Sequence, residues 1–129
     1  MTGFSVTIKE IFSRRELSYK ERVIIKDTTA ADGIDQIVTD TTPLDIHLSH
    51  FAMLDVHNES SKDKDYTQVV LVDEDGNRYF SGSDSLMSAL LDIWAEMRNC
   101  PEDEDWQLRI YKLPSKNYSG KSFLTCTVI

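Results

Sequence analysis

Cysteine is scarce in this chain. Cys100 and Cys126 are the only two, without CxxC spacing, which argues against a disulfide framework or a cysteine-built zinc site and points to a reducing cytoplasm. No apolar run approaches the roughly 18 residues that a membrane helix requires. The opening residues, Met1 to Thr7, have no basic stretch ahead of an apolar one, so no signal peptide is expected. Cations are outnumbered, 14 Lys and Arg against 22 Asp and Glu. The resulting net charge of −8 excludes a basic nucleic-acid coat and a polybasic membrane binder. Catalytic signatures are missing as well: there is no GxSxG elbow, P-loop or GxGxxG, and the acidic runs Asp73–Asp75 and Glu102–Asp105 lack Ca²⁺-loop spacing. Those runs read as solvated turns. Neither an enzyme nor a cofactor is expected.

What is present suits one domain. The chain has 129 residues, 40% of them hydrophobic, enough for a single core. Its charge is uneven. Residues 106–129 carry Arg109, Lys112, Lys116 and Lys121 and no acid, a net +4 that leaves −12 on residues 1–105. Phe4 to Ile11 alternates apolar and polar, the period of a strand. Ser13-x-x-Glu16 and Ser18-x-x-Glu21 both have capping-box form and predict a short helix over Tyr19–Lys26, although Val23-Ile24-Ile25 would suit a strand equally well. The polar stretch Thr28 to Thr42 reads as a loop with a short strand around Ile34–Val38.

From Pro43 the pattern sharpens. A long strand runs from Leu44 to Val56 and must bend near Ser49-His50. Tyr66–Val72 and Arg78–Ser81 form a hairpin about Gly76. Leu86, Leu90, Ile93, Trp94 and Met97 make one apolar helix stripe, capped by Ser83 or Ser85 and stopped by Pro101. Two strands follow, Trp106–Lys112 and Phe123–Val128. The expected fold class is therefore α+β, mainly β. Its expected form is a five-stranded OB-like Greek-key barrel over 44–129, with one helix between strands 3 and 4 that plugs it. Residues 1–43 are expected as an N-terminal strand and helix extension, which adds to a barrel edge or pairs with another subunit as a homodimer.

Barrels of this type bind oligonucleotides on strands 2 and 3 and on the loops joining strands 1–2 and 4–5. Both loops combine lysine with an aromatic, Lys62, Lys64 and Tyr66 in one and Lys116, Tyr118 and Lys121 in the other. Cations follow phosphates and aromatic faces stack bases. Arg78 and Tyr79 extend the site on strand 3, and Arg109 and Tyr111 share the outward face of strand 4. Each residue has a plainer role open to it. Tyr66 and Tyr79 suit half-buried cross-strand packing, Trp94 and Trp106 suit the core, and lone lysines suit a solvated surface. His47, His50 and His57 do not make a metal site, because three apart on a strand means opposite faces.

At Ser115-Lys116-Asn117-Tyr118-Ser119-Gly120-Lys121-Ser122-Phe123-Leu124-Thr125-Cys126, after a hairpin and a Gly-Ser-led helix, the chain resembles small single-stranded-DNA-binding proteins of bacteriophages and bacterial mobile elements. The resemblance covers the C-terminal two-thirds. It implies an OB fold, single-stranded DNA as partner, accessory work with replication or recombination proteins in a bacterial cytoplasm, and no cofactor. The competing class is an acidic interaction protein that mimics DNA or docks on a protein partner, supported by the −12 over residues 1–105.

Overall fold

The computed structural model describes residues 3–115 and 120–129 of the chain. Among the described residues eight strands form two sheets, with few helices. Strand β1 (Phe4–Phe12) pairs antiparallel with β4 (Leu48–Asn58) from Phe4↔Asn58 to Phe12↔Phe51, with a register shift between Ile8 and Glu10. Residues 4–12 are thus built into the larger sheet. Helix α1 (Tyr19–Ile25) starts where the sequence places it, because Ser18 accepts the Glu21 N–H at 3.1 Å while the Glu21 carboxylate accepts the Ser18 N–H at 3.0 Å.

Strand β2 (Asp32–Gly33) is only two residues long, yet it decides the architecture. It pairs in parallel with β6 (Arg78–Ser81) and occupies the edge through which a barrel would close. The larger sheet therefore runs β1-β4-β5-β6-β2, with β5 spanning Asp65–Asp73. The smaller runs β3-β7-β8, from Leu44–Ile46, Leu108–Pro114 and Ser122–Val128. The expected closed barrel is not formed. The short strand expected around Ile34–Val38 is likewise a helical turn, α2 (Ile34–Ile37): Ile34 and Val38 are buried while Gln36, which would share their face in a strand, is exposed.

The bend expected near Ser49-His50 is present. Strands β3 and β4 are separated by His47 alone, the register slips between Leu48 and His50, and one stretch of chain passes from the small sheet to the large one. The β5–β6 turn is held by the Asp73 carboxylate, which accepts the Asp75 and Asn77 N–H groups at 3.0 and 2.9 Å, while Gly76 takes φ +87°.

Helix α3 (Asp84–Met97) is capped by Ser83 and buries Leu86, Leu90 and Trp94 of the predicted stripe between the sheets, with Ile93 packed alongside. Phe51 lies at the middle of this core, stacked on Phe12 at 4.5 Å and edge-on to Trp94 at 5.6 Å. The opposite face of the large sheet carries a second cluster of Ala52, Leu54, Val56 and Val70, closed over by Ile25 of α1. Strand β4 is consequently buried on both faces.

Candidate nucleic-acid interface

The sequence places the candidate contacts on two loops and on strands β5 to β7. The β4–β5 connection leaves β4 at Asn58, whereas β7 runs past the Leu44 end of β3 to Pro114, where it pairs with Ser122 of β8.

At the β4–β5 connection Lys62 is exposed, whereas Lys64 is paired with Glu59 at 3.0 Å. His57 completes that cluster, with Nδ1 against Asp65 and Nε2 against Glu59, both at 2.7 Å. Hydrogen bonding to Asp65 and then to Glu59 raises the His57 pKa, and Lys64 together with His57 lowers that of Glu59. Tyr66 is half-buried against the second cluster.

On β6 both neighbouring rings are used in packing. Tyr79 lies against the main core and donates its hydroxyl to Asp73 at 3.3 Å, while Phe80 packs into the second cluster. Burial, with the nearby Asp73 charge, raises the Tyr79 pKa. Arg78 donates Nη1 to the carbonyls of Ile24 and Asp27, at 2.5 and 2.9 Å. The Ile24 carbonyl also accepts the Asp27 N–H at 3.0 Å, and a cation at a helix C-terminus suits the dipole. The outer face of β5–β6, where base contacts are expected, thus carries the C-terminal end of α1, and its Tyr66, Val72 and Phe80 are half-buried.

On β7, Arg109 is held fork-to-fork by Asp45 across the β3–β7 pair, at 2.8 and 2.9 Å, and that hydrogen bonding holds the Asp45 pKa below its ordinary value. Tyr111 is half-buried and lines a cleft of about 410 Å³ with Thr39–Pro43, Lys112 and Thr127. A neighbouring cleft of about 360 Å³ joins Lys112 to Lys121 around Pro114 and Gly120, and Asp40 lines both clefts. Neither lysine has an ion-pair partner among the described residues. Lys116 and Tyr118 lie outside the described residues.

The histidines do not converge. His50 is buried against Ser49 Oγ at 2.9 Å, with its pKa lowered by burial, and His57 sits at the far end of β4. Among the described residues no group of three or more His, Cys, Asp and Glu side chains is placed to hold a metal ion. Burial pushes the Cys126 thiol up to about 12, and Cys100 hydrogen-bonds to Glu104 at 2.8 Å, which raises its pKa. Among the described residues no helix is long and apolar enough to cross a membrane.

Two surfaces are missing from the sequence-based set. One is an acidic groove of about 440 Å³, where His47, Glu74, Glu102–Asp105 and Trp106 meet. Glu74 and Glu102 stand in separate turns and only the fold joins them. The other is the basic exposed side of α1, whose signal was within reach: residues 1–26 carry six cations against three acids. Comparison with protein-family models, curated proteins and solved structures finds no match to this chain.

Proposed function

We propose that the protein binds single-stranded DNA without catalysis, in replication or recombination of a phage or mobile element. The observation that carries this reading is the segregation of charge onto the β7–β8 hairpin. In a chain of net −8, residues 106–129 hold four cations and no acid, and Lys112 and Lys121 line adjoining clefts without carboxylate partners. Tyr111 supplies an aromatic face beside them. Tyr118 and Lys116 enter the proposal from sequence alone. Within the reading, Lys112 and Lys121 hold phosphates as point charges and the tyrosines stack bases. The route of the β3–β4 strand between the two sheets, followed by hairpin, helix and hairpin, supports an OB-like ancestry, with β2 in the place where closure would occur.

Fluorescence anisotropy of labelled oligo-dT at two salt concentrations tests the proposal. Binding that weakens with salt, with log K falling by about 0.7 per neutralised phosphate, supports it. No binding at low salt defeats it. The acidic groove lined by Glu74 and Glu102–Asp105 favours a second reading, in which a basic protein surface docks there and the chain acts as a DNA mimic or a docking subunit. Absence of oligonucleotide binding would promote that alternative.

A further inference from the structure

On the reading that the ligand is a single strand, we infer that the exposed face of α1 is a second contact for that strand. It would add to the β5–β6 face, on which the C-terminal end of α1 is seated. Tyr19, Arg22, Val23 and Lys26 stand at i, i+3, i+4 and i+7, one side of the helix and its C-cap. All four are exposed, Tyr19 to 87% and Val23 to 70%. Ile25 points the other way and fixes the helix to the second cluster. The outward set is thus held in place without taking part in packing.

The charges here are free. The acid of α1, Glu21, is neutralised by Arg15 through Nη1 at 2.8 Å and Nη2 at 2.5 Å, and this pairing holds its pKa at about 2. Lys20, Arg22 and Lys26 have no ion-pair partner among the described residues. Three uncompensated cations in line behind an exposed phenol, on a molecule of net −8, complement a polyanion carrying stackable bases. Arg22 stands about 4.5 Å along the axis from Tyr19 and Lys26 about 10.5 Å, so the ring and the two charges follow one another along one side of the helix and its C-cap. Long-range attraction to an acidic surface of another protein would need the cations but not the aromatic beside them.

The placement also follows from the fold. Arg78 ties the end of α1 to β6 through the Ile24 and Asp27 carbonyls, and Ile25 shares its cluster with Tyr66 and Phe80. A strand laid across β5–β6 therefore meets α1 first. The helix replaces a sheet platform with a helical one.

The test compares oligo-dT binding by the parent, Tyr19→Ala, Tyr19→Phe and the double variant Arg22→Ala/Lys26→Ala. Ser18 and Glu21 stay intact so that the helix start is preserved, which circular dichroism verifies. Tyr19→Ala is expected to weaken binding roughly 5- to 100-fold with little change in its salt slope, and Tyr19→Phe to bind as the parent does. The double variant is expected to flatten the slope of log K against log salt by about 1.4, two phosphates' worth. If the parent binds and all variants match it, this inference falls while the single-strand reading stands. If the parent fails to bind at low salt, the reading itself falls and takes the inference with it. If the variants instead lose self-association in sedimentation while binding oligo-dT unchanged, α1 is a protein contact and the inference is overturned.

Discussion

Phe51→Ala should be the most damaging single truncation in the main core. The ring is fully buried at the middle of β4, stacked on Phe12 of β1 and edge-on to Trp94 of α3, so it joins both ends of the chain's N-terminal half to the helix. Removing a buried phenyl ring costs about 3–5 kcal/mol, as lost transfer energy plus an unfilled cavity. Each aromatic pair adds about 0.5–1.5 kcal/mol beyond its area. Against a total stability of about 5–15 kcal/mol, the variant sits close to the edge of folding. With a urea slope of about 2 kcal/mol per molar, the midpoint should fall by roughly 1.5–2.5 M, followed by tryptophan fluorescence. Tyr19→Ala is the control, expected within about 0.5 kcal/mol of the parent because its side chain faces water. A double-mutant cycle with Phe12→Leu and Phe51→Leu isolates the stacking contribution. A Phe51→Ala loss below about 1 kcal/mol, or a coupling of zero with Phe12, would refute the three-ring junction and with it the placement of β1 in the large sheet.

Arg109→Ala should leave the salt slope of oligo-dT binding unchanged because Asp45 already neutralises that charge, whereas Lys112→Ala/Lys121→Ala should lower it by about 1.4; equal effects would return Arg109 to the interface. The His57 cluster predicts a pH-dependent β4–β5 connection. The folded pKa lies above the ordinary 6.5, so the stabilisation is complete below that value and is lost as pH rises through the folded pKa. Amide exchange over residues 59–65, corrected for intrinsic rates, should therefore quicken from pH 6 to 9, and His57→Ala should abolish that dependence; unchanged protection would contradict it. With its thiol pushed up to about 12 inside β8, Cys126 should resist a disulfide reagent at pH 8 until the chain unfolds, while Cys100 reacts first. Equal rates in the native protein would show that β8 opens readily.

Elements set by neighbouring residues were legible in the sequence. The Ser18–Glu21 capping box, the Gly76 turn and the Leu86–Trp94 stripe each depend on spacings of a few residues, and all are found where expected. Even the bend in the long strand showed in the break of its alternation at Ser49-His50. Ile34–Val38 misled because β-branched residues favour strands while their spacing also fits one helical turn. Closure was illegible for a different reason. Asp32-Gly33 carries no strand signal of its own and pairs with β6 only in the folded chain. The same distance in sequence hid the fate of the cations. Arg78 reaches carbonyls 54 and 51 positions away and Arg109 a carboxylate 64 positions away, so charge counting alone presents both as free. Lysine-rich loops and tyrosines could be found by composition, but which of them remain unpaired is decided by tertiary contacts.

Amide chemical-shift mapping of the protein during titration with oligo-dT at low salt tests the central claim most directly. The account predicts shifts concentrated on the β7–β8 hairpin, at Tyr111, Lys112 and Lys121, that diminish as salt is raised. A spectrum that does not change, or changes only around Glu102–Trp106, would contradict it.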